Sequence, residues 1–124
     1  MPVITAPSVP THDIGTARFT SLATPSRGST DTSVWRVEVA PGAAAAPHRL
    51  TREEVLVVLA GRADVRIDGR PAHAGVGDAI VVPAGVPFEL AAAGDEPLRA
   101  LCVLPVGGQA QFDGGEPFTP PWAR

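Results

Sequence analysis

Three histidines, one cysteine and a scatter of carboxylates are the side chains of this 124-residue chain that could do chemistry near neutral pH. Imidazole titrates closest to neutrality, so His12, His48 and His73 are the candidates for proton transfer or metal ligation. His48 stands six residues before Glu54. A histidine and a glutamate buried side by side make one of two things. Either they form a structural pair that satisfies two costly polar groups, or they form an acid–base pair in which the carboxylate orients the imidazole and raises its basicity. Cys102 has no sequence neighbour that would lower its pKa, so it reads as a small buried hydrophobe rather than a nucleophile. Other chemistries lack their residues: there is no G-x-S-x-G elbow, no phosphate-cradling glycine loop and no C-x-x-C pair.

The elements that must position these residues are strands. Trp35, Val37 and Val39 alternate with Arg36 and Glu38, and Ala63, Val65 and Ile67 alternate with Arg62, Asp64 and Arg66. That period of two belongs to strands with one face buried. Residues 55–59 and 80–82 are apolar on both faces, as strands are when both sides are covered, by a core and by a partner copy. Asp68-Gly69 is a hairpin signal, and Gly- and Pro-rich turns separate the remaining runs at short, even spacing. Residues 43–46 are all Ala but lie between Pro41-Gly42 and Pro47, so they read as a loop. His73 falls between Ala72, Ala74 and Val76, which look inward, and is expected to face out. Cys102 shares its face with Leu98, Ala100 and Leu104, and is expected to face in. No 3.6-residue periodicity is long enough for a helix. The chain therefore divides into an N-terminal arm (residues 1–18), one all-β domain (19–106) and a tail (107–124). Phe112, Phe118 and Trp122 would be costly to leave wet, so the tail is expected to pack on the barrel or on a partner.

Two segments carry a family pattern. Gly42, His48, Glu54 and Gly61 fall on the spacing G-x5-H-x-H-x3-4-E-x6-G, with Leu50 at the second His position. Gly77, Pro83 and Gly85 fall on G-x5-P-x-G-x2-H-x3-N, with Phe88 at the His position and Ala92 at the Asn position. On these residues the chain resembles the cupin superfamily. The resemblance implies a double-stranded β-helix, a jelly-roll barrel that is often a dimer, with the side chains of His48 and Glu54 pointing inward and Leu50 beside His48. In many cupins three His and one Glu hold a divalent metal; carried over, only His48 and Glu54 of that set are present here. Leu50 and Phe88 offer no donor, and metal sites need about three protein ligands. The expectation is thus no tight metal, with room for a weakly bound divalent ion on His48 and Glu54 or a site completed by His12, His73 or Cys102.

Three functional readings follow. The first is a metal-free barrel binding a small, largely apolar molecule, walled by Trp35, Leu50, Leu56, Phe88 and Cys102 with His48 and Glu54 as polar anchors; a barrel filled by its own side chains is the plain alternative. The second is an isomerase- or cyclase-type enzyme, or a weakly metal-dependent one, with His48 and Glu54 as its catalytic pair. The third is a dimeric interaction module using its outer face and aromatic tail. A formal charge of −3 with no basic stripe argues against nucleic acid. The longest apolar run is far too short to span a bilayer. The start shows no basic region followed by an apolar run, as a leader would. The single cysteine fits a cytoplasmic protein.

Overall fold

The alternating runs become antiparallel strands, and their buried faces make one core. The computed structural model describes residues 3–124. Its strands are β1 (His12–Asp13), β2 (Ala17–Ala23), β3 (Thr32–Val39), β4 (His48–Leu50), β5 (Glu54–Ala60), β6 (Ala63–Ile67), β7 (Arg70–Ala74), β8 (Ala79–Val82), β9 (Phe88–Ala92), β10 (Leu98–Pro105) and β11 (Ala110–Phe112). They form two sheets, one ordered β1-β2-β3-β10-β5-β8 and the other β11-β4-β9-β6-β7. This is a jelly-roll, double-stranded β-helix architecture. Among the described residues there is no α-helix, and no helix is long and apolar enough to cross a membrane.

Register decides which side chains meet inside. In the first sheet Cys102 of β10 pairs with Trp35 of β3 on one side and with Leu56 of β5 on the other. All three are buried, and so are Val37 and Val58 one step along the same face. The second sheet contributes Leu50, Val65 and Phe88 to the same core. Residues 43–46 are a loop, since the flanking prolines and Gly42 leave no room for a helical turn to propagate.

Several details differ from the sequence expectation. Residues 12–13 and 17–18, read as the end of an arm, are strand: His12 pairs with Phe19 and Asp13 with Arg18, and Ala17 and Arg18 pair with Val39 and Glu38, which extends the first sheet. Ala72 and Val76, read as inward, are exposed. The reason is topological: β7 is the outermost strand of its sheet, so only Ala74 reaches the interior.

The tail packs on its own barrel. β11 pairs with β4, setting Phe112 opposite His48 and Ala110 opposite Leu50. The ring of Trp122 lies flat on Phe19, with centroids 3.5 Å apart and planes 4° from parallel. Three serine hydroxyls hold the backbone there: Ser21 donates to the Trp122 carbonyl at 2.8 Å, Ser33 to Ala123 at 2.7 Å and Ser26 to Arg124 at 2.7 Å.

Gly61 shows why the first motif ends in glycine. Its φ is +74°, a region L side chains avoid, and a Cβ there would collide with the backbone carbonyl of Pro97. Gly61→Ala is expected to lower stability by roughly 3 kcal/mol, read as a lower urea midpoint with an unchanged m-value.

Candidate functional site

A cavity of about 390 Å³ lies between the two sheets. Trp35, Leu56 and Cys102 line it from the first sheet, and His48, Leu50 and Phe88 from the second. Every pocket residue expected from the sequence is therefore at this cavity. So are Phe112, Phe118 and Trp122 of the tail, Phe19 of β2, and the loop Ala43–Ala46, which the sequence did not place there. The density of aromatics in the tail signalled packing, but nothing in the sequence tied that packing to the cavity.

His48 occupies the middle of a cross-strand row. Its Cα partner is Phe88 on β9 and, on the other side, Phe112 on β11. The imidazole centroid lies 4.2 Å from the Phe88 ring and 5.8 Å from Phe112. Nδ1 is 2.9 Å from the Ala46 carbonyl oxygen. A carbonyl can only accept, so in the neutral ring Nδ1 carries the hydrogen and Nε2 keeps its lone pair. Burial pushes the His48 pKa below its ordinary value, and the Ala46 hydrogen bond offsets this only in part. The imidazole is thus neutral at pH 7.

Glu54 opens β5 and is only 5% exposed. Burial raises its pKa to about 8, and among the described residues no hydrogen bond or charged partner counteracts the shift. Its carboxyl group is therefore mainly protonated at neutral pH and can donate. Among the described residues no hydrogen bond links His48 to Glu54, the pair that the sequence offered as either structural or acid–base. The imidazole is held instead by the backbone of Ala46, an acceptor only two residues away. Cys102 is buried, and burial first, then the nearby Glu54, raise its thiol well above the ordinary value. It is a neutral wall residue.

The remaining histidines stand elsewhere. His73 faces out on β7, its Nδ1 2.6 Å from the Asp64 carboxylate. His12 packs edge-on against Trp122 at 6.3 Å and does not line the cavity. Among the described residues no three of His, Cys, Asp and Glu come together as a metal site would need. Leu50 and Phe88, both buried at the cavity wall, stand where two further donors would be required. The donor set of His48 and Glu54 does not fit the metal centre found in many cupins.

A cupin-domain family model matches residues 35–104, more than half of the chain. The chain belongs to the cupin family. Among solved structures it is similar to a cupin-like protein from Thermotoga maritima, at 26% identity and a TM-score of 0.71 over 80% of this chain and 77% of that one. It is also similar to the polyketide cyclase RemF from Streptomyces resistomycificus, at 25% identity and a TM-score of 0.67 over 82% of this chain and 73% of that one. A vicilin from Solanum melongena matches at 22% identity and a TM-score of 0.68, over 85% of this chain. This chain spans about a third of the vicilin's length (32%), and the likeness is one of fold. Among curated proteins there is no match.

Glu54 makes a testable contribution to pH dependence. Its folded pKa of about 8 lies above the ordinary 4.5, so the folded state holds the proton that the unfolded chain releases. Its stabilising contribution is complete below pH 4.5 and is lost as pH rises through 8. His48, with its lowered pKa, works the other way: it favours folding as pH rises towards 6.5 and is neutral in both states above that. From pH 6.5 to 8.5 the melting temperature of the native chain is expected to fall, whereas that of Glu54→Gln, which cannot ionise, stays level. Parallel slopes in the two proteins would contradict the assignment.

Proposed function

We propose that this cupin binds a small, largely apolar molecule inside the barrel, with His48 and Glu54 as its polar contacts and Trp35, Leu50, Leu56, Phe88 and Cys102 as its walls, and that it does so without a tightly held metal ion. The observation that carries this reading is the cavity itself. At about 390 Å³ it falls in the range of small-molecule sites, and its lining is apolar apart from a few polar groups. A barrel packed solid by side chains would leave no such space. Elemental analysis tests the metal-free part: protein purified without a His tag and dialysed against a chelator is expected to hold far less than one metal ion per chain. Near-stoichiometric metal that survives dialysis would overturn it.

A second reading, catalysis of an isomerase or cyclase type, draws on one feature. The His48 imidazole is anchored at Nδ1 and keeps Nε2 as a proton acceptor, and Glu54, a proton donor when neutral, lines the same cavity. The similarity to a polyketide cyclase is in keeping with it. Turnover of a bound compound that His48→Gln abolishes, with affinity held within about threefold, separates catalysis from binding alone.

The proposal includes a homodimer and a cytoplasmic setting, in which the lone buried Cys102 stays reduced. The dimer rests on the outer face of the first sheet. There Val55, Val57, Leu101 and Val103 are half-buried, and Leu59 and Val81 are 45% and 50% exposed. An apolar face of this kind on a sheet's outside favours a second copy. Light scattering is expected to return twice the 12.7 kDa chain mass, and Val81→Asp to shift it to the monomer. A monomeric native chain would remove this part of the proposal.

A further inference from the structure

We propose that the ligand of the barrel is an uncharged, planar hydroxyaromatic compound whose hydroxyl group donates a hydrogen bond to His48 Nε2. The inference deepens the apolar-ligand reading and rests on it.

Three observations narrow the ligand class. The first is charge. Among the described residues the cavity lining contains no Arg or Asp, and its titratable groups are His48, Glu54 and Cys102. A carboxylate or phosphate entering it would give up its hydration with no cation to receive it. An ammonium group would require Glu54 to ionise inside the barrel, so both ions would be stripped of water together. An uncharged molecule meets neither cost.

The second is the direction of the hydrogen bond. The Ala46 carbonyl fixes the hydrogen of the imidazole on Nδ1. Nε2 is therefore an acceptor and matches a ligand that brings a donor. Glu54, neutral when buried, complements a carbonyl or ether oxygen elsewhere on the same molecule.

The third is shape. Rings line the cavity from the first sheet (Trp35), the second sheet (Phe88) and the tail (Phe112, Phe118, Trp122). Aromatic walls favour a flat aromatic guest through offset and edge-to-face contacts beyond simple area burial.

Four probes of one shape test the proposal on the full chain by calorimetry: 2-naphthol, 2-methoxynaphthalene, 2-naphthoate and 2-naphthylmethylammonium. Naphthol and its methyl ether are expected to bind, and the anion and the cation to bind at least about tenfold more weakly than naphthol. His48→Leu is expected to lower the naphthol-to-ether affinity ratio about tenfold, the effect of losing one hydrogen bond. Nitrogen NMR on the unaltered chain gives the same answer without a variant: the His48 Nε2 resonance moves on addition of naphthol as it does for a ring accepting a hydrogen bond, and not on addition of the ether. Naphthoate or the ammonium compound binding as tightly as naphthol would overturn the proposal. So would a ratio that His48→Leu leaves unchanged, or an Nε2 resonance indifferent to naphthol. In each of those cases the apolar-ligand reading survives; failure of all four probes to bind would remove both.

Discussion

Burying Glu54 with no side-chain hydrogen bond and no opposite charge among the described residues costs the barrel free energy that the packing around it must offset. That desolvation governs the interior. It keeps the carboxyl group protonated near neutrality, as burial of Cys102 itself keeps that thiol protonated. A charged guest would likewise give up its hydration there, since among the described residues no charged group of the cavity lining would compensate it. The apolar side chains of both sheets supply the offset. Trp35, Leu56, Val58, Leu98 and Leu104 are each at most 3% exposed and form one continuous core.

Within that setting the row Phe112–His48–Phe88 shows what the cupin architecture presents at this point of the chain. The strands still place position 88 directly across from His48, as register requires. A donor there would bring two ligands to one point; a phenyl ring brings instead a surface on which the imidazole rests at 4.2 Å. Leu50, two residues after His48 on β4, offers no donor either. The cavity that these strands frame is lined mostly by apolar side chains, with His48 and Glu54 among its few polar ones. Fold alone therefore says little about activity, and similar folds among a cyclase and a vicilin illustrate the point.

The fold was largely legible in the sequence because its signals are local. Period-two alternation in residues 34–39 and 63–67 and the Asp68-Gly69 turn each depend on neighbours a few positions apart, and the structure places β3, β6 and the β6–β7 hairpin there. That His48, Glu54, Leu50 and Phe88 meet at one cavity was implied by the resemblance of the two motifs to the cupin pattern. What was not legible depended on contacts far apart in sequence or on backbone detail. The tail reaches the cavity only because β11 adds to β4 and Trp122 stacks on Phe19, about a hundred residues upstream. The acceptor for His48 Nδ1 is a carbonyl, which no side-chain pattern reveals. Val76 followed the alternation of its run but fell beyond the end of an edge strand, where alternation no longer implies a core.

The placement of the indole rings has an optical consequence. The chain has two tryptophans and no tyrosine. Trp35 lines the cavity from the first sheet and Trp122 from the tail. All of the protein's native near-ultraviolet emission thus originates at the wall of a single chamber, next to the space a guest would fill. Light emitted by the unlabelled molecule is a local report from that chamber, free of any background from distant fluorophores.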